Sequence, residues 1–261
     1  LSRLGSPEKS FPSVVVTGSA GKGSTAYLLS HMLTSGGYKT GLSISPHLQH
    51  ITERMQIDGE RATDEEFIAL INEMQPIIEQ MKEYPIGEPS YFEILLAMAF
   101  VYFAKKKVDI AVIEVGIEGK YDGTNVLDPL LTVLTNIGLD HIEILGDTVE
   151  KIAHEAVASI KQKQIVITGV KQLSVEQIVA ETSEKQNAKL VSLGKKFSAT
   201  ILAVDKQGSR FDFTSGTVSY KNLALSLIGE YQVTNAALAL EAIQQLRPLG
   251  YPVTYDTIRN A

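Results

Sequence analysis

Val16-Thr-Gly-Ser-Ala-Gly-Lys-Gly-Ser-Thr25 follows the apolar run Val14-Val15-Val16 and opens the helical pattern Ala26-Tyr-Leu-Leu-Ser-His-Met-Leu33. A glycine-rich turn between a strand and a helix points several backbone N–H groups into one concavity. The positive end of the helix dipole faces the same spot, and Lys22 adds a full charge there. The segment therefore reads as a phosphate-binding loop, with Gly18, Gly21, Lys22, Gly23, Ser24 and Thr25 as its candidate contacts. Its spacing is shorter than the common G-x-x-x-x-G-K-[ST] pattern, and Gly23 stands where a hydroxyl usually follows the lysine. Ser24, Thr25 or a side chain elsewhere must supply any hydroxyl to a magnesium ion. An ordinary βα turn is the plainer alternative.

Outward from this loop, Ser13–Thr17, Asp109–Val115, Leu131–Asn136, Ile165–Thr168 and Leu190–Leu193 are short, β-branched runs of the kind that form buried parallel strands. Helical patterns separate them. Four carry capping signatures: Thr63-x-x-Glu66, Ser90-x-x-Glu93, Asp147-x-x-Glu150 and Ser174-x-x-Gln177. The alternation predicts an α/β fold with a doubly wound, mostly parallel sheet. Beyond Gly194 the runs Thr200–Val204, Arg210–Thr214 and Thr217–Tyr220 alternate in polarity around Gly208 and Gly216. They predict a small antiparallel β patch on one side of the main sheet in the C-terminal third. A last helix is expected from Val233 to Leu246, ended by Pro248, and Thr257 to Ala261 reads as the start of another. No linker divides the chain, so residues 1–261 read as one domain.

The 261 residues carry a net charge of −6, which argues against a nucleic-acid partner. Lys105-Lys106-Lys107 reads as the basic end of a helix. There is no cysteine, which excludes disulfides and thiolate metal sites and suits a cytoplasmic location. The longest apolar stretch, around Ile94 to Ala104, falls short of the ~18 residues of a membrane span. A monomer is expected.

In α/β sheets ligands sit beyond the carboxyl ends of the strands, and three strand ends here carry polar groups. Glu114 lies inside the apolar run Ile110-Ala-Val-Ile-Glu-Val115, so it is either buried or functional, and a carboxylate there suits Mg²⁺ shared with phosphates. His141, in Ile137-Gly-Leu-Asp-His141, reads as a metal ligand, a phosphate contact or a plain loop histidine. Ser45 has a hydroxyl to offer a metal, or serves only the Ser45-Pro46 turn.

These segments, in this order, resemble the folylpolyglutamate synthase and dihydrofolate synthase family of the muramyl ligase superfamily. Gly18-Ser-Ala-Gly-Lys-Gly-Ser24 is similar to its G-T-N-G-K-G-S loop. Ser45-Pro-His-Leu48 with Glu53-Arg54-Met55 resembles its S-P-H-L and E-R-I segments, and Glu114 to Asn125 resembles E-V-G-x-G-G-R-x-D-A-T-N. Thr135 to Gly146 resembles T-N-I-G-x-D-H-x-x-x-L-G, and Gln232-Val-Thr-Asn235 resembles the end of H-Q-x-x-N. The resemblance implies an ATP-dependent amide ligase. ATP phosphorylates a folate-type carboxylate, and the amine of glutamate attacks the acyl phosphate. It implies Ser45, Glu114 and His141 as Mg²⁺ ligands, Lys22, Glu114 and His141 as catalytic groups, and Gln232 and Asn235 near the adenine or ribose. Pro46, His47 and Arg54 would lie on the pterin side.

The sequence also departs from that pattern. The family's carbamylated lysine, which binds a second Mg²⁺, corresponds to Ala156, and Lys161 is the nearest downstream lysine. Glu118 replaces a glycine and brings negative charge toward the phosphates. Ala20 and Tyr231 replace an asparagine and a histidine. No segment after Pro248 matches the family's smaller second domain. A fragment that binds ATP without ligating alone is expected. The competing reading is a non-catalytic nucleotide-binding paralogue that has lost the second metal site. A GTPase is disfavoured, since Thr135-Asn-Ile-Gly138 is a poor base-reading motif.

Overall fold

The computed structural model describes residues 1–83 and 87–260. In chain order it forms β1 Ser13–Thr17, α1 Lys22–Ser35, β2 Thr40–Ser43, β3 Gln56–Ile57, β4 Glu60–Arg61, α2 Asp64–Met81, α3 Tyr91–Lys106 and β5 Ile110–Glu114. There follow β6 Leu131–Leu134, α4 Ile142–Leu145, α5 Val149–Ala156, β7 Ile165–Thr168, α6 Leu173–Lys185 and β8 Lys189–Ser192. The last third holds β9 Phe197–Asp205, β10 Gly208–Ser215, β11 Val218–Leu225, α7 Glu230–Leu246 and α8 Tyr255–Asn260.

Eight strands form the main sheet in the order β4-β3-β2-β5-β1-β6-β7-β8. The six from β2 to β8 are parallel, and β3 and β4 add an antiparallel edge. The valines of β1 divide between the faces as strand alternation requires. Val14 and Val16 join Ile110, Val112, Leu131 and Val133 under α1 and α7. Val15 joins Ala111 and Ile113 under α3. Strand β1 is central, and the chain runs to β2 and β5 on one side of it, then to β6, β7 and β8 on the other. That reversal opens a crevice beyond the carboxyl end of β1.

The expected hairpins are present, but they form a separate three-stranded sheet, β11-β10-β9. Gly208 and Gly216 take the positive φ angles their turns require. The sheet does not extend the main one, because α7 lies between them and packs on β6 and β7 on one side and on β9 and β10 on the other. A helix covered on two sides must be apolar on both, hence the buried run Ala236-Ala-Leu-Ala-Leu-Glu-Ala-Ile243. Each of its buried leucines and isoleucines contributes about 1.5–3 kcal/mol.

Both capping boxes expected for α2 and α3 form: Thr63 with Glu66 and Ser90 with Glu93 exchange reciprocal bonds. The other two signatures are corrected. Helix α5 is capped by Thr148, which accepts the Lys151 N–H, while Asp147 pairs with the Lys151 ammonium. Helix α6 begins without a side-chain cap, because the Ser174 hydroxyl donates instead to Glu150. The cluster at the end of α3 is divided: Lys105 pairs with Glu73, Lys106 with Glu66, and Lys107 closes the helix in a left-handed conformation. The terminal helix expected over Thr257 to Ala261 is α8, although Ala261 itself lies outside the described residues. Among the described residues no helix is long and apolar enough to cross a membrane.

Candidate functional site

The loop from Gly18 to Gly21 leaves β1 and turns at once into α1. The N-cap of α1 is Gly21, in a left-handed conformation, and no side chain caps the helix. The start of α1 therefore presents uncapped N–H groups that suit an anion, with that of Gly23 turned toward Glu114. The loop is held from behind by the exit of β6. The Ala20 N–H donates to Asn136 Oδ1 at 2.9 Å, the Ser19 N–H donates to the Asn136 carbonyl at 3.0 Å, and the Thr135 hydroxyl donates to the Ala20 carbonyl at 2.7 Å. Ser19 and Gly138 exchange a further pair of bonds. The Thr135-Asn-Ile-Gly138 segment thus braces the loop. The bracing explains Gly18, whose φ is +125°: a Cβ there would lie 2.2 Å from Thr135 Oγ1.

The loop opens into a cleft of about 1160 Å³ lined by Lys22, Gly23, Ser24, Ser45, Glu114 and His141, among others. The exits of β1, β2, β5 and β6 thus converge. Lys22 Nζ donates to the Gly18 carbonyl at 2.7 Å. Glu114 is 5% exposed at the end of β5, and the Ser45 N–H donates to its Oε2 at 2.7 Å. Burial raises its carboxyl above the usual range, while the Ser45 N–H, Lys22, Arg54 and the Gly23 N–H each pull it back. Gly23 is thus a backbone donor facing the carboxylate. His141 is exposed, caps α4 with a left-handed backbone, and lies 3.8 Å from Asp140 Oδ1.

The segment from Ser45 to Arg54 forms the far wall. The Ser45–Pro46 peptide is cis. The Glu53 carboxylate accepts the N–H groups of Leu48, Gln49 and His50, which hold it below the usual range. Arg54 Nε donates to His47 Nδ1 at 3.0 Å, and its guanidinium stands 5.7 Å from the centre of the Tyr91 ring. Pro46 and Arg54 line the cleft with Tyr91.

Other candidates are less exposed to the cleft. Thr25 is fully buried, and its hydroxyl has no partner. Asn235 is buried on α7 and bonded to Gln232, with its Oδ1 so near Gly21 that a Cβ there would lie at 2.4 Å. The pair backs the phosphate loop from α7. Ala156 is buried among Leu145, Ile152 and Val157 and offers no ligand atom. Lys161 donates to the Asn125 carbonyl at 2.9 Å and so supports the loop after β5. Glu155, which no sequence motif singles out, reaches the opposite side of that loop, accepting the Lys120 N–H at 3.3 Å. Asp122, also in that loop, accepts the Thr124 N–H and hydroxyl and the Ile117 N–H.

The profile of the Mur ligase middle domain matches residues 16–243. The chain belongs to that family. It is 39% identical over 250 residues to a dihydrofolate synthase/folylpolyglutamate synthase of Bacillus subtilis, covering 94% of this chain and 57% of the relative. It superimposes on a folylpolyglutamate synthase from Thermotoga maritima with a TM-score of 0.91 and 33% identity, covering 100% of this chain and 59% of that one. A folylpolyglutamate synthase solved with AMPPCP and folate gives 0.93 and 31%, covering 98% and 63%. The chain therefore spans about three-fifths of the length of these relatives. The α/β fold with its mostly parallel sheet is the fold of those enzymes.

Proposed function

We propose that this chain is the nucleotide-binding part of an ATP-dependent carboxylate–amine ligase of the folylpolyglutamate synthase type. The observation that carries the reading is the braced glycine loop. Its uncapped helix N-terminus and Lys22 share one cleft with Glu114, on a chain that matches such enzymes along its whole length. In the reaction assigned to the whole protein, a folate-type carboxylate oxygen attacks the γ-phosphorus of ATP, and ADP leaves. The neutral amine of glutamate then attacks the acyl carbon. The phosphate departs with the bonding pair, and the nitrogen loses a proton.

Within the cleft, the loop N–H groups and Lys22 would position the phosphates and balance their charge, and Ser24 would line the phosphate path. Arg54 and Pro46 with His47 would meet the folate-type substrate on the far wall, where the guanidinium suits its carboxylates. Asn235 and Gln232 would act by holding the loop near the nucleotide. The donor set suits one Mg²⁺. Glu114 is a buried carboxylate without a full countercharge, and Ser45 and His141 stand in the same cleft. Among the described residues no three His, Asp or Glu side chains are grouped to hold a metal ion, so phosphate oxygens and water would complete the shell. A bound Mg²⁺ would neutralise phosphate charge during transfer. With Ala156 buried and apolar, this chain offers no lysine for a second ion at that position.

Calorimetric titration of ATP, with and without Mg²⁺, tests the reading. Mg²⁺-dependent binding that weakens at least tenfold in Lys22→Ala is the expected result. Binding indifferent to Lys22 would overturn the assignment of the loop.

A further inference from the structure

Glu118 lies on the loop after β5, lines the same cleft and is 5% exposed. Both of its carboxylate oxygens are buried, and neither forms a hydrogen bond of good geometry. The Gly18 N–H, the Thr17 hydroxyl and Lys22 nevertheless lie close enough to favour its charged form, while Asp140 across the cleft opposes it. Burial outweighs them and pushes its carboxyl up to about 7. An unsatisfied buried carboxylate is costly, and its nearest favourable neighbours are the lysine and amide that phosphates would use. The remaining charged side chains around the cleft are Glu114 on β5, Asp122 and Lys120 on the Glu118 loop, Arg54 opposite, Glu93 on α3 and Glu155 on α5, with the His141 imidazole before α4. Carboxylates outnumber fixed cations there, which is an unusual setting for a bare polyanion.

We infer that Glu118 is a selectivity residue whose carboxylate competes with metal-free phosphates for Lys22 and the loop N–H groups, so that the cleft admits a nucleotide only as its divalent-cation complex. The inference rests on the nucleotide-binding reading above. A cation arriving with the phosphates removes the repulsion, because the complex brings less negative charge past Glu118. Neutral glutamine at this position retains the shape and lifts the repulsion. Aspartate retains the charge.

The test measures dissociation constants for ADP at about pH 8, in excess Mg²⁺ and in chelator, for the chain and its Glu118→Gln and Glu118→Asp variants. Thermal unfolding checks that each variant is folded. The ratio of the two constants should fall at least tenfold in Glu118→Gln, through tighter binding of metal-free ADP, while Glu118→Asp keeps most of the selectivity. An unchanged ratio would overturn the inference and leave nucleotide binding intact. So would a fall caused by weaker Mg²⁺–ADP binding, which would mark Glu118 as a support of the bound complex. If no form bound ADP even with Mg²⁺, the nucleotide-binding reading would fail and carry this one with it.

Discussion

The loop leaving β1 and the chain leaving β5 lie side by side at the cleft and are held in opposite ways. The first turns its own polar groups outward: Ser19 and Ala20 are tied to Thr135, Asn136 and Gly138. At the start of α1 the Gly23 N–H faces Glu114, and no side chain caps the helix. The second turns carboxylates inward. Glu114 accepts the Ser45 N–H, Asp122 is bonded through both of its oxygens, and Glu118 is bonded through neither. Burial raises the carboxyl groups of all three. Glu114 ends β5 and Glu118 lies on the loop that follows, yet both are 5% exposed, so burial alone does not distinguish them. Their hydrogen bonds do. One wall is rigid and donates; the other is acidic and incompletely satisfied, and it gains most from a cation or a proton.

Breaking the rigid wall should have the largest effect. Gly18→Ala forces a Cβ against Thr135 and Asn136 in a backbone conformation that alanine resists. A loss of about 3 kcal/mol or more is expected in chemical denaturation, together with loss of nucleotide binding. Wild-type stability in that variant would show that the loop and β6 are not locked together.

Next comes the acidic wall. A folded Glu118 that titrates near 7 keeps its proton across the range from about 4.5 to 7, where the unfolded chain has released it. The folded state then binds more protons, so stability falls as pH rises through that window, and the full cost is felt above pH 7. Glu118→Gln should therefore be more stable than the parent by up to about 3 kcal/mol above pH 7, with the gap closing below pH 4.5. Urea unfolding across pH reads this directly, and a pH-independent gap would place the strain elsewhere.

A smaller effect sharpens the contrast. Asn136→Ala removes the acceptor of the Ala20 N–H and should cost about 1–2 kcal/mol, while loosening the loop enough to weaken nucleotide binding in calorimetry. The smallest effect serves as a control remote from both loops in function. Thr63→Ala deletes the cap of α2, a helix that does not line the cleft, for about 1 kcal/mol, seen as a lower melting temperature with nucleotide affinity unchanged.

Local signals are legible in the amino-acid sequence. The β1 run, the Gly21-Lys22-Gly23 turn, the Thr63 and Ser90 boxes and the glycines of the β9–β11 hairpins depend on residues within one or two turns of each other. The antiparallel edge β3–β4 is not legible there, because two-residue strands leave no periodic trace. Asp147 and Ser174 carry cap signatures without capping, because their side chains have stronger partners in Lys151 and Glu150. The convergence of Ser45, Glu114 and His141 follows from strand-end logic and the family resemblance. The support of the loop by Asn136 and by Asn235 from α7 has no local signature, because those contacts join segments more than a hundred residues apart.

The sequence by itself determined where strands and helices alternate, where the phosphate loop lies and which strand ends carry polar groups, since propensity, periodicity and turn chemistry act over a few residues. Tertiary structure alone decided that the hairpins form a separate sheet with α7 between it and the main one. It alone placed Glu118, unsatisfied, beside Lys22 and Gly18. Burial and charge proximity depend on the packing of distant segments, and no local pattern encodes the cost of a carboxylate enclosed beside an anion site.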